Sequence, residues 1–154
     1  MRILELTTPS PTSFSNECLV YEKLTEHQPP NANVFPKLIG WSKIVCSSLF
    51  PAGHVLLLEK RPGVQLSKVW KDLTQDEKTH IKNECMKATR ILRSISIRMA
   101  DAGKHNVLFD RETGTVTLLD FELIGICEYP EDTGLEPEMS AILRDEEWCW
   151  WVQA

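Results

Sequence analysis

The sequence has neither a long apolar run nor a concentration of basic residues, and both absences limit what the chain can do. Its formal net charge is −5 at pH 7, and no basic cluster is interleaved with aromatic residues, so binding to RNA or DNA is not expected. The apolar stretches are far too short to cross a bilayer, and the first residues lack the apolar core of a signal peptide. We therefore expect a cytoplasmic protein with neither a nucleic-acid partner nor a membrane partner.

Cysteine is present but never in closely spaced pairs. The five cysteines are far apart and odd in number, and none belongs to a C-x-x-C motif. A structural zinc site would need cysteines and histidines at short spacings, and the four histidines do not supply them. We predict reduced, mostly buried thiols, with neither a disulfide framework nor a zinc site. The cysteines are Cys18, Cys46, Cys85, Cys127 and Cys149.

What the chain does contain is the composition of one globular domain. It has 154 residues, of which 42% are hydrophobic and 25% charged, enough to bury a core. Its clearest local signal is a capping box at Thr74 and Glu77, whose side chains satisfy backbone N–H groups at a helix start. Apolar residues then recur at steps of four and three, which predicts a helix from about Asp76 to Ser94. This stripe consists of Ile81, Cys85, Ala88, Leu92 and Ile95.

Helices and short strands are both predicted upstream of this helix. The pattern from Leu19 to Leu24 suits a helix that Ser13 or Ser15 would cap, and the prolines within residues 27–33 end it. Three shorter elements are predicted: a strand at Ile3–Leu6, a buried strand at Val55–Leu58 and a short helix over Val64–Leu73. The chain is therefore of mixed α+β class.

A β-hairpin is predicted downstream of the long helix. Two strand-like runs, Asn106–Asp110 and Thr115–Asp120, flank a four-residue loop that ends in Gly114. Glycine can adopt the positive φ that such loops often require. The two outer ends of the hairpin should therefore lie side by side.

Three polar side chains are expected at those outer ends. Asp101 precedes Asn106 by five residues, and Asp120 ends the second strand. One amide and two carboxylates would then converge on one point. Oxygen ligands of this kind suit Mg²⁺, which commonly takes one or two carboxylates together with substrate phosphates.

Residues 101–106 (D-A-G-K-H-N) resemble the D-x-x-x-x-N catalytic loop of the protein-kinase superfamily, and residues 120–122 (D-F-E) resemble its metal-binding triplet. The D-F-E form is common in aminoglycoside-phosphotransferase-type kinases, and the closest resemblance is to small kinase-like proteins of fungi. Upstream, residues 35–40 and 56–60 resemble the strands that lead into the hinge, and residues 17–24 resemble the regulatory helix. The resemblance extends over roughly residues 2–125.

This resemblance implies a protein-kinase-like α+β fold in one domain, with both lobes incomplete. Residues 1–60 would form a partial N-lobe with the regulatory helix, and residues 61–154 a shortened C-lobe with the catalytic loop and the D-F-E segment. The implied cofactors are Mg²⁺ and ATP, bound weakly if at all.

The resemblance also implies a role for each matching residue. Asp101 would accept the proton of the attacking hydroxyl group, while Asn106 and Asp120 would hold Mg²⁺ against the nucleotide phosphates. Glu17 would be the helix glutamate that pairs with a strand lysine. The residues at the hinge, beside the adenine ring, would be Glu59, Lys60 and Arg61.

Several features depart from the family pattern. The position of the strand lysine falls on Glu5, no glycine-rich loop precedes it, and Met99-Ala100 stands where the family usually has a histidine that braces the catalytic loop. About 32 residues follow the D-F-E triplet, fewer than a full C-lobe needs. Lys104 and His105 could touch phosphate or simply face solvent.

These departures leave three hypotheses. The first is a degenerate kinase, or pseudokinase, that binds nucleotide weakly and acts through protein contacts. The second is an active ATP- and Mg²⁺-dependent phosphotransferase that acts on a small molecule or a protein hydroxyl. The third is a gene-model fragment or an interaction module. A patch of Trp148, Trp150 and Trp151 would either cover the core or bind a protein partner.

Overall fold

The computed structural model describes residues 11–45, residues 53–127 and residue 142. The predicted strand Ile3–Leu6, with Glu5 in it, and the three C-terminal tryptophans lie outside these residues, so the predictions made for them stay predictions. The elements, in chain order, are α1 (Pro11–His27), β1 (Leu38–Ile44), β2 (Gly53–Leu58), β3 (Val64–Gln65), α2 (Leu66–Val69), α3 (Gln75–Ser94), β4 (Ile97–Met99), β5 (Val107–Asp110), β6 (Thr115–Leu118) and β7 (Ile124–Ile126). Short 3₁₀ turns occupy Ala32–Val34, Trp70–Asp72 and Lys104–Asn106.

The strands form three small antiparallel sheets within the described part of the chain. β1 pairs with β2, from Leu38 opposite Leu58 to Ile44 opposite Gly53. β5 lies between β3 and β6 in a three-stranded sheet, and β4 pairs with β7. The predicted strand Val55–Leu58 is thus confirmed as part of β2, but it is half-buried and not buried as predicted. The predicted hairpin is confirmed as β5–β6.

The long helix α3 is confirmed with the predicted cap and the predicted apolar stripe. The Glu77 backbone N–H donates to the Thr74 hydroxyl oxygen over 3.2 Å, and the Thr74 backbone N–H donates to the Glu77 carboxylate over 2.7 Å. All five residues of the stripe are buried, none of them more than 3% exposed. This face of α3 therefore forms the centre of the core.

Helix α1 is confirmed, but its start differs from the prediction. The helix is described from Pro11, upstream of Ser13 and Ser15, so neither serine is its cap. It ends at His27, and Gln28 takes a left-handed backbone with φ of 42°. The chain then enters the proline-containing loop, as predicted.

The predicted helix Val64–Leu73 is only partly correct. Val64 and Gln65 form strand β3, paired with β5, and the helix proper covers Leu66–Val69 before a 3₁₀ turn. Gly63 explains the difference, because its φ of +114° lets the chain approach β5 so closely that a Cβ atom there would lie 2.8 Å from the Phe109 carbonyl carbon. The close approach brings the next two residues into register with the sheet.

Two further observations concern membranes and cysteines. Among the described residues, no helix has both the length and the apolar character needed to span a bilayer. Cys18 and Cys85 are buried, as predicted, while Cys127 is only half-buried. Cys46 and Cys149 lie outside the described residues.

Candidate functional site

The catalytic-loop residues are tied together by the buried side chain of Asn106. This residue is 3% exposed, and its side-chain Nδ2 donates to the backbone carbonyl of Asp101 over 2.8 Å. Its backbone N–H donates to the Gly103 carbonyl over 3.0 Å. One face of the amide thus closes the loop, which leaves the amide oxygen as the atom that could bind a cation.

The β5–β6 hairpin brings Asp120 to the same place. Val107 is opposite Leu118 in the ladder, and the backbone N–H of Leu119 donates to the Asn106 carbonyl over 2.8 Å. Asp120 therefore follows directly on a residue that is hydrogen-bonded to Asn106. The structure thus brings the three residues singled out in the sequence to one end of the hairpin.

The Asp120 backbone has an uncommon conformation. Its φ is 62°, a left-handed value that aspartate tolerates better than most residues. Its exposed carboxylate accepts a hydrogen bond from the backbone N–H of Glu122, with Oδ1 3.2 Å from the nitrogen. The turn therefore presents the carboxylate at the surface of the site.

A histidine contacts Asp101 from a position that the sequence analysis did not assign. His105 Nε2 lies 3.2 Å from Asp101 Oδ2, and the His105 carbonyl accepts a hydrogen bond from the Gln65 side chain over 2.7 Å. The family's bracing histidine would precede Asp101, whereas this one follows it by four residues. The spacing D-x-x-x-H was the signal that could have revealed the contact.

Glu17 faces the D-F-E segment. Its Oε1 accepts a hydrogen bond from the backbone N–H of Phe121 over 3.4 Å. The pKa of this carboxyl is raised to about 7, chiefly by burial and also by the charges of Asp120 and Glu122, while the hydrogen bond from Phe121 lowers it in part. Among the described residues no lysine or arginine forms an ion pair with it. The lysine partner implied by the family resemblance is thus not part of the described structure.

The D-F-E segment is held by three more contacts that the sequence did not indicate. Asn16 donates from Nδ2 to the Glu122 carbonyl over 2.7 Å. The fully buried ring of Phe121 lies between Tyr21 and Phe35, with ring-centroid distances of 5.4 and 5.9 Å. The contacts of Asn16 and Tyr21 join α1 to the D-F-E segment.

The predicted hinge residues connect β2 to β3. The backbone N–H of Glu59 donates to the Lys37 carbonyl over 2.9 Å, and Arg61 Nη2 donates to the Phe35 carbonyl over 2.7 Å. Arg61 also lies 3.5 Å from the Glu59 carboxylate, while Lys60 is exposed. The segment therefore links the β1–β2 sheet to the three-stranded sheet, and its contact with adenine stays a prediction.

The residues at the site fit Mg²⁺ in chemistry, although they do not form an all-protein cage. Across the described ranges, no group of three or more His, Cys, Asp or Glu side chains is arranged to hold a metal ion. Mg²⁺ does not require one, since it commonly takes one or two carboxylates, phosphate oxygens and water. The exposed Asp120 carboxylate and the Asn106 amide oxygen are ligands of that kind.

Comparison with known proteins identifies the fold. The structure is similar to that of the Cydia pomonella granulovirus kinase PK-1, with a TM-score of 0.58 over 80% of this chain at 19% sequence identity. The fold is kinase-like. The chain spans 42% of the length of that viral kinase. No family model matches the sequence, and no curated protein matches it, so the resemblance to fungal aminoglycoside-phosphotransferase-type proteins stays a prediction.

Proposed function

We propose that this kinase-like chain is a degenerate kinase that binds Mg²⁺–ATP weakly through Asn106 and Asp120. When bound, Mg²⁺ would neutralise part of the charge of the nucleotide phosphates. Asn106 and Asp120 would hold the ion, and the backbone of residues 59–61 would meet the adenine. The proposal is supported by the kinase-like fold and by the position of Asn106 and Asp120 at one end of the hairpin.

The environment of Glu17 is the observation that supports a degenerate kinase over an active one. In a working kinase this glutamate would pair with a lysine that binds the phosphates. Here its carboxyl contacts the Phe121 backbone beside two further acidic residues, Asp120 and Glu122. Among the described residues no lysine or arginine is paired with Glu17. Nucleotide phosphates brought next to this group would therefore meet acidic side chains and no cationic partner, and would bind weakly.

The test is a thermal-shift measurement with millimolar Mg²⁺–ATP. We expect a rise in the unfolding temperature on the order of 1–2 °C, since a ligand near its dissociation constant stabilises a protein only slightly. Asp120→Asn should remove this shift. Asp110→Asn is the matched control, because Asp110 also accepts a backbone N–H in a turn, but at the opposite end of the same hairpin. Equal shifts in both variants would contradict the proposal.

An active phosphotransferase is the second candidate, favoured by the closed catalytic loop. The Asn106 side chain holds the Asp101 backbone, and His105 contacts the Asp101 carboxylate. These contacts would hold Asp101 in position to accept the proton of a substrate hydroxyl. Transfer of the γ-phosphate of ATP to any hydroxyl substrate, abolished by Asp101→Asn and kept by Asp110→Asn, would favour this candidate. It would overturn the degenerate reading.

A further inference from the structure

Two consecutive residues of α1 bind two consecutive residues of the D-F-E segment. Asn16 donates its side-chain N–H to the Glu122 carbonyl over 2.7 Å, and Glu17 accepts the Phe121 backbone N–H over 3.4 Å. One side chain supplies a donor and the next an acceptor, so the helix binds both a carbonyl group and an N–H group of the segment. The Asn16 hydrogen bond is the shorter of the two and joins residues 106 positions apart in the chain.

The segment held in this way contains the one backbone conformation of the site that needs support. Asp120 has a φ of 62°, which costs a non-glycine residue energy unless its surroundings impose it. Its carboxylate is bonded to the Glu122 backbone N–H, and the carbonyl of that same residue is bonded to Asn16. The position of Glu122 therefore sets the direction of the Asp120 side chain.

We propose that Asn16 is a positioning residue for Asp120, holding the turn so that the carboxylate keeps the direction needed to bind the metal ion of a nucleotide. The ligand in this inference, the metal ion of a nucleotide, rests on the proposed function. The positioning of the turn by Asn16 does not. Asn16 does not touch the ligand; it acts through Glu122.

The geometry can be tested without any ligand, by amide hydrogen exchange of Phe121 and Glu122 in the full chain. Asn16→Leu has nearly the same size but no donor, and we expect it to speed exchange at these two amides roughly fivefold, as for the loss of one ordinary hydrogen bond. Asn16→Gln keeps an amide donor and should restore most of the protection. Asn83→Leu is the matched control, because Asn83 is an exposed asparagine within α3. If the leucine variant does not fold, Asn16→Ser, which is too short to reach Glu122, carries the same expectation.

Unchanged exchange at both amides in Asn16→Leu would overturn the inference. So would an equal acceleration in the buried stripe of α3, because the contact would then stabilise the whole domain and not the turn. The second readout is the thermal shift with Mg²⁺–ATP, which should fall to less than half in Asn16→Leu and recover in Asn16→Gln.

The two readouts separate the inference from the proposed function. If the unaltered chain shows no shift with Mg²⁺–ATP, the proposed function fails, and the exchange data alone decide whether Asn16 positions the turn. If the unaltered chain shows the shift and Asn16→Leu keeps both the shift and the slow exchange, the inference fails while the proposed function stands.

Discussion

Replacing Glu17 with glutamine should stabilise the protein at neutral pH and have little effect in acid. A pKa of about 7, in place of 4.5, means that ionising this carboxyl costs up to roughly 3 kcal/mol more in the folded state than in the unfolded chain. Because the group is partly exposed, solvent screening reduces the cost, and we expect about 1–2 kcal/mol. Glutamine cannot ionise, but it keeps an oxygen that accepts the Phe121 N–H.

The direction of the pH dependence follows from which state ionises first. Below the usual pKa of 4.5 the carboxyl is protonated in both states, so it imposes no cost. As the pH rises from there to about 7, the unfolded chain loses its proton before the folded protein does, and stability falls. Glu17→Gln should therefore match the unaltered protein near pH 4.5 and exceed its free energy of unfolding by the full amount at pH 8.

Urea unfolding followed by circular dichroism over this pH range measures the difference. No nucleotide is added, and divalent cations are removed with a chelator, because a cation beside Asp120 would change the field at Glu17. Glu26→Gln is the control, since Glu26 is an exposed glutamate on the same helix. A stability difference that does not change between pH 4.5 and pH 8 would refute the reasoning, as would a Glu17→Gln variant that is less stable at pH 8.

Two further predictions concern stability. Hydrogen bonds, first from Arg111 and then from Thr74, lower the pKa of Glu77 to about 2. The contribution of this charge to stability is therefore full above pH 4.5 and disappears as the pH falls towards 2. Glu77→Gln should lower the urea midpoint at pH 7 and match the unaltered protein near pH 2. Gly63→Ala should destabilise the fold by about 1 kcal/mol or more, because φ is +114° and the new Cβ would lie 2.8 Å from the Phe109 carbonyl carbon. Gly40→Ala, where a Cβ would meet nothing within 4 Å, should change stability by less than about 0.5 kcal/mol; equal losses in the two glycine variants would contradict this account.

Local signals in the sequence predicted the parts of the fold that depend on neighbouring residues. The capping box at Thr74 and the periodic stripe behind it specify α3 almost to the residue, because helix ends and helix faces are encoded within a few positions. The hairpin was predicted for the same reason, through Gly114, whose φ is +70°. The D-x-x-x-x-N spacing and the D-F-E triplet then indicated which residues lie at its outer end.

The features that the sequence did not predict depend on distant contacts. β4 and β7 are three residues each and pair across the chain, with Ile97 opposite Ile126, so neither is long enough to show a periodic pattern of its own. The contact from Asn16 crosses 106 positions and has no sequence signature. Val64 was predicted to be helical but belongs to a strand. The close approach of Gly63 to β5 makes it part of that strand, and such a tertiary contact cannot be recognised from the neighbouring residues.

The most direct test of the central claim is a crystal structure of the full chain with Mg²⁺ and a non-hydrolysable ATP analogue at saturating concentration. We predict an ion bound by the Asp120 carboxylate and the Asn106 amide oxygen together with the nucleotide phosphates, and an adenine ring against the backbone of residues 59–61. A nucleotide bound elsewhere, or an Asp120 carboxylate turned away from both ion and phosphates, would contradict the assignment of this site.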